Sequence, residues 1–202
     1  MNNRLKDSGR AKRYSKFEHI KDSKFQRIFD IVKSYEENQS KVEKSYKKLS
    51  QQILLDTQNY KEKAIVIDSD DKIVFAKIGE RSSVVFTDEE LKLMNGCTLI
   101  HNHPSGMTLS EADIKLALHY NLKEIVAFSA KGKFYKLTIN DKHDKKELVL
   151  KYADAKKEVQ RIMLELSRTH QVSREHIKAE YQNFITSLFA DSSKGVKYEI
   201  SN

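Results

Sequence analysis

The apolar period of this sequence changes twice along the chain, and that change constrains the fold more than any other feature. From Ser23 the residues Phe25, Ile28, Phe29, Val32 and Tyr35 recur at three- and four-residue steps, which is the spacing of one buried helix face. The pattern continues more weakly through Val42, Tyr46, Leu49, Ile53 and Leu54 to about Asp56, as one long helix or two shorter ones. Between Glu62 and Asp141 it gives way to short apolar runs separated by turn residues, the signature of strands. From Asp144 onward it is helical again. The expected fold is therefore α/β, a mixed central sheet flanked by N-terminal and C-terminal helices. The expected division is a basic flexible arm over 1–22, a helical segment over 23–60, a compact α/β unit over 61–141 and a helical extension over 142–202.

Inside the middle unit, Ala64–Ile67 and Ile73–Ala76 flank the polar turn Ser69-Asp70-Asp71 and read as a hairpin. Thr87-Asp88-Glu89-Glu90 fits a capping box, and Asn95-Gly96 supplies a left-handed stop before the apolar run Cys97–Ile100. Ser110 caps a further helix through about His119, and Glu124–Phe128 and Phe134–Ile139 read as strands around Lys131-Gly132. Asp144 and Ser173 are candidate caps of two C-terminal helices.

Composition narrows the function classes. A chain of 202 residues with 33% charged residues has room for one ordinary core. No stretch approaches the roughly 18 apolar residues of a membrane span, so no membrane partner is expected, and the first twenty residues lack the apolar block of a secretory signal. A single cysteine, Cys97, excludes an internal disulfide and a cysteine-based zinc finger; it is expected to be a buried packing residue in a cytoplasmic protein. Any metal must then use histidine and carboxylate ligands. The formal charge of +8 is uneven: residues 1–61 hold 15 Lys and Arg against 8 Asp and Glu, the remainder 22 against 21. The basic arm, with Arg10, Lys12 and Arg13, has the electrostatics to meet nucleic acid, although such runs are commonly solvated helix faces.

The chemistry concentrates in the thirteen residues His101 to Asp113, which contain the only proline of the chain, Pro104. Side chains alternate along a strand, so His101 and His103 project to one side, and the residue before proline favours the extended backbone that keeps them there. The turn over 104–109 reverses the chain, and Ser110 as N-cap places Asp113 in the first helical turn, facing the histidines. Two imidazoles and a carboxylate with a fourth position open for water is the donor set of catalytic zinc. The proton of that water needs a base. Glu62, at the mouth of the strand Lys63–Ile67, is the first choice and Glu80, at the end of the next strand, the second. Ser110 can donate its hydroxyl to a developing oxyanion. Either half of the motif alone is weak, because H-x-H is frequent and Ser-x-x-Asp is a common plain helix cap. Together they gather rare residue types where a core or a cap requires none of them. His119, between Leu118 and Tyr120 at a helix end, is expected to be structural.

The string HNHPSG followed by S-x-x-D resembles the metal-binding motif of the JAMM/MPN family of zinc-dependent isopeptidases and peptidases, and its wording resembles the RadC-like bacterial branch. The resemblance spans roughly residues 60–140. It implies zinc on His101, His103 and Asp113, assistance from Ser110, and water activation by Glu62, whose run Glu62–Asp68 looks like the glutamate strand of the family. The spacer from His103 to Asp113 is nine residues, one fewer than in the isopeptidases, and only 38 residues separate Glu62 from His101. That leaves little room for the insertions that grip ubiquitin. The shorter form is closer to the JAMM-like domain of phage minor head and head-morphogenesis proteins, which likewise have a helical tail ending in a segment like Gly195–Glu199. The expected function is hydrolysis of an amide bond in a protein or peptide substrate, with phage head proteins as possible partners. The alternatives are a non-catalytic head-assembly protein that keeps the zinc scaffold, and a RadC-like DNA-associated factor.

Overall fold

The computed structural model describes residues 15, 17–37, 46, 48–50, 53, 61–104, 106–129, 132–140, 143–169 and 171–201. The proposed nucleic-acid contacts Arg10, Lys12 and Arg13 lie outside the described residues, as do Val42, Leu54 and Asp56. The elements in chain order are α1 (Ser23–Glu37), β1 (Lys63–Ile67), β2 (Ile73–Ile78), α2 (Asp88–Leu93), β3 (Thr98–His103), α3 (Glu111–His119), β4 (Glu124–Ser129), β5 (Phe134–Ile139), α4 (Lys145–Arg168), α5 (Arg174–Ser192) and β6 (Val196–Ser201). Tyr46, residues 48–50 and Ile53 are also helical. No helix among the described residues is long and apolar enough to cross a membrane.

Six strands form one mixed sheet in the order β2-β1-β3-β4-β5-β6, so the expected α/β architecture is the one observed. Only β3 and β4 run parallel, which demands a crossover, and α3 supplies it. The β1–β2 turn is fixed by Asp68, whose Oδ1 accepts from the backbone N–H groups of Asp70 (2.9 Å) and Lys72 (3.0 Å), with Asp71 left-handed at φ 61°. Both capping boxes form: Thr87 and Glu90 open α2, and Ser110 and Asp113 open α3.

Strand alternation divides the core in two. Ala64, Val66, Leu99, Ile125, Leu137 and Tyr198 point to the face covered by α1 and α3–α5. Ile65, Ile67, Ile100, Val126, Phe128 and Phe134 point to the other face, where Tyr46, Leu49 and Ile53 cover them. His119 is the last residue of α3 and packs edge-on against Tyr120, and Cys97 is buried and reduced, donating to the Leu93 carbonyl at 3.3 Å.

Two boundaries differ from the sequence reading. Phe17 and Ile20, expected within a mobile arm, are buried in the main core. The Phe17 ring lies 5.8 Å from Phe25 and 5.8 Å from Phe184, because an aromatic side chain this close to α1 gains more by filling the gap between α1 and α5 than by staying in water. The C-terminal extension, expected to be helical, ends instead in a strand. Val196, Tyr198 and Ile200 alternate with Lys197, Glu199 and Ser201, and β6 pairs with all of β5 to close that side of the sheet. Gly195 makes the entry turn: its φ is 79°, and a Cβ there would sit 2.0 Å from the His143 ring.

Candidate metal centre

The site lies where β3 leaves the sheet. His101 and His103 are two residues apart on one face of the strand, buried, with ring centroids 4.6 Å apart. Their Nε2 atoms face each other at 2.9 Å. The loop after Pro104 contains Gly106 at φ 73°, a left-handed position that suits glycine, and its N–H donates to the His103 carbonyl at 3.0 Å. Ser110 then caps α3, with its Oγ accepting from the Asp113 N–H at 3.2 Å. Asp113 Oδ2 accepts in turn from the Ser110 N–H at 2.6 Å. The cap also aims the carboxylate: Asp113 Oδ1 is 3.3 Å from His101 Nε2, and Oδ2 is 3.3 Å from His103 Nε2. One ligand atom from each of the three residues therefore lies within 4.8 Å of the others, as a metal ion requires.

The surroundings of the imidazoles fit that role. His103 Nδ1 donates to the Met107 carbonyl at 3.1 Å, which fixes the ring so that Nε2 faces His101 and Asp113 and is the atom that could bind a metal once its proton is lost. His101 Nδ1 is buried without a partner among the described residues, so only its Nε2 is engaged. Burial raises the Asp113 carboxyl, but the charge of His101 and hydrogen bonds from both imidazoles outweigh it and hold Asp113 well below the usual carboxylate range. Burial lowers His103, and Asp113 outweighs it to bring the imidazole above its usual value. The triad could hold a metal ion, whose charge would offset the buried carboxylate directly.

Glu62 belongs to the same site. It directly precedes β1, and since Ala64 pairs with His101 in the antiparallel ladder, Glu62 falls on the histidine face next to His103. Its own backbone is held by β2-side partners: its N–H donates to the Glu80 carbonyl and its carbonyl accepts from Gly79 N–H, both at 2.8 Å. Burial pushes its carboxyl up against the opposing pull of His103 and His101. Glu80 is exposed and joins Glu62 only through the backbone.

A cavity of about 500 Å³ connects these groups. Glu62, His101, His103, Ser110 and Asp113 all line it, whereas Glu80 does not. Its walls come from places the sequence reading did not single out: Val84 and Phe86 after β2, and Lys178, Tyr181 and Gln182 on α5. Asn102, between the histidines, was also passed over. Its side chain points to the opposite face, where Oδ1 accepts from the Lys63 N–H at 2.7 Å and Nδ2 donates to the Lys61 carbonyl at 3.1 Å. Asn102 thereby fastens the backbone on both sides of Glu62. A buried asparagine between two ligand candidates was the available signal, since a buried amide must find partners.

Comparison with known proteins yields no matching family model, no matching curated protein and no matching solved structure.

Proposed function

We propose that this chain is a JAMM-type zinc-dependent metallopeptidase that hydrolyses an amide bond in a protein or peptide substrate. The observation that carries this reading is the convergence of His101, His103 and Asp113 in one cavity with Glu62. His101, His103 and Asp113 would hold the ion. Bound zinc supplies a Lewis acid and a water acidic enough to ionise near neutral pH. Glu62, which lines the same cavity, would take a proton there and pass it to the leaving nitrogen, and a carboxyl raised by burial is better matched to that transfer than an exposed one. Ser110 accepts the Asp113 N–H through an oxygen lone pair, so its hydroxyl proton is free to point at a substrate oxygen. The apolar side chains of Val84, Phe86 and Tyr181 suit one side chain next to the cleaved bond. The resemblance to phage minor head proteins makes virion proteins the first substrates to screen.

The test combines zinc content by elemental mass spectrometry with hydrolysis of peptide and isopeptide libraries. Wild type is expected to hold one zinc per chain. Glu62→Gln should keep the zinc and lose about 10²–10⁴-fold in hydrolysis, and His103→Ala should lose both. Undiminished hydrolysis by Glu62→Gln would remove Glu62 as the base. A wild-type chain that takes up no zinc would overturn the reading as a whole.

A further inference from the structure

The described stretch 106–109 carries the carbonyl that orients a candidate ligand, yet it belongs to neither a helix nor a strand. The Met107 carbonyl accepts from His103 Nδ1, while the Met107 side chain itself is 46% exposed and anchors nothing. The next residue is different. Thr108 is buried, and its Oγ1 lies 2.7 Å from the hydroxyl of Tyr198, ninety residues later in β6. Tyr198 donates to Asn183 Oδ1 on α5 at 3.2 Å, so the hydroxyl proton between Thr108 and Tyr198 comes from Thr108. All three side chains are at most 6% exposed. The Tyr198 ring is packed edge-on against Tyr35 of α1, with centroids 5.5 Å apart. The hydroxyl is thus fixed from two directions, by the ring packing and by Asn183.

We propose that Tyr198 is a positioning residue of the metal centre: through Thr108 it holds the Met107 carbonyl against His103 Nδ1, and so sets the direction of the His103 Nε2 lone pair. This rests on the metal-centre reading above. The C-terminal strand and α5 are then part of the site's supporting structure, although no residue of β6 lines the cavity. Groups that orient a histidine ligand typically change metal affinity by roughly 10–100-fold when removed, and Tyr198 acts one residue beyond such a group.

The experiment uses the full chain and three variants, Tyr198→Phe, Thr108→Val and the double variant. Tyr198→Phe keeps the ring and its packing on Tyr35 and removes only the hydroxyl. Zinc affinity is measured by competition with a chromogenic chelator at 20 °C, alongside the NMR resonance of the His103 Nδ1 proton. Each single variant is expected to weaken zinc by about tenfold, and the double variant by no more than the worse single, since both break one tether. The Nδ1 proton should exchange faster in each. A general loss of packing would lower the melting temperature but would leave the affinity of the folded protein and that resonance unmoved. Wild-type affinity in Tyr198→Phe overturns the proposal. If the wild type takes up no zinc, the metal-centre reading fails by itself, and the Nδ1 resonance of the metal-free protein decides the tether: faster exchange in Tyr198→Phe supports it and an unchanged resonance overturns it.

Discussion

The two faces of the sheet each bury a polar cluster, and the two clusters are balanced in different ways. On the face covered by Tyr46, Lys136 Nζ sits 3.0 Å from Glu199 and 3.9 Å from Glu124. Thr138 Oγ1 donates to Glu124 at 3.1 Å, and the Tyr46 hydroxyl donates to the other oxygen of the same carboxylate. Burial raises the Glu199 carboxyl, but Lys197 and Lys136 more than offset that and hold it below its usual value. That cluster contains its own cation. On the opposite face Asp113 meets two imidazoles and a backbone N–H, and no ammonium among the described residues. The two buried clusters thus differ in their partners: the carboxylates of the first face lysine ammonium groups, and Asp113 in the second faces two imidazoles that could hold a metal ion with it.

The largest effects should come from exchanging the fates of the two cations. Lys136→Met leaves the buried Glu124 without an ammonium and Glu199 with Lys197 alone, and is expected to cost about 3 kcal/mol of unfolding free energy while zinc content stays at one per chain. His103→Ala should do the reverse, losing the zinc with a smaller change in the metal-free protein. Urea unfolding and elemental analysis of both variants separate the cases; loss of zinc in Lys136→Met would mean that the two faces are coupled and not independent.

A smaller effect is expected at Ser110, which serves both as cap and as cavity wall. Ser110→Ala removes the acceptor for the Asp113 N–H and should cost about 0.5–2 kcal/mol, with weaker zinc binding because the carboxylate loses half of its capping box. Ser110→Asn, a cap that is equally favourable, should restore stability without restoring hydrolysis.

The smallest effect is in pH, and it has opposite signs with and without metal. Asp113 is depressed in the fold, so its contribution is present above the unfolded carboxylate range of about 3.9 and is lost as pH falls through its folded value. His103 is raised, so its contribution is complete below about pH 6.5 and is lost as pH rises through its folded value. The metal-free protein should therefore lose some stability above pH 6.5, whereas zinc affinity should rise across the same range as protons leave the imidazoles. Urea midpoints from pH 5 to 9 should show this slope in the wild type and in Lys136→Met, and not in His103→Ala.

What the sequence made legible were the features determined within a few residues. The H-x-H alternation, the Ser110 cap, the hairpin at Asp68 and the Thr87 capping box all follow from local spacing, and each is present. The strand β6 was missed although Val196, Tyr198 and Ile200 alternate plainly, because six residues after a long helix read as its frayed end until β5 is there to pair with them. The choice between Glu62 and Glu80 was likewise open in one dimension. Both end strands of a single hairpin, and only the β1–β3 register places Glu62, and not Glu80, on the histidine face. The α5 wall of the cavity and the Tyr198 tether depend on residues some seventy to ninety positions away from the motif, beyond any local pattern.

That long separation has a consequence in time. Glu62, His101, His103 and Asp113 all leave the ribosome before Thr108 has a partner, because Tyr198 follows ninety residues behind. At about 5–20 residues per second, the motif waits roughly 5–20 s for the strand that steadies it. A site assembled in this order is complete only at the end of synthesis: Thr108 gains its hydrogen bond to Tyr198 once β6 has paired with β5.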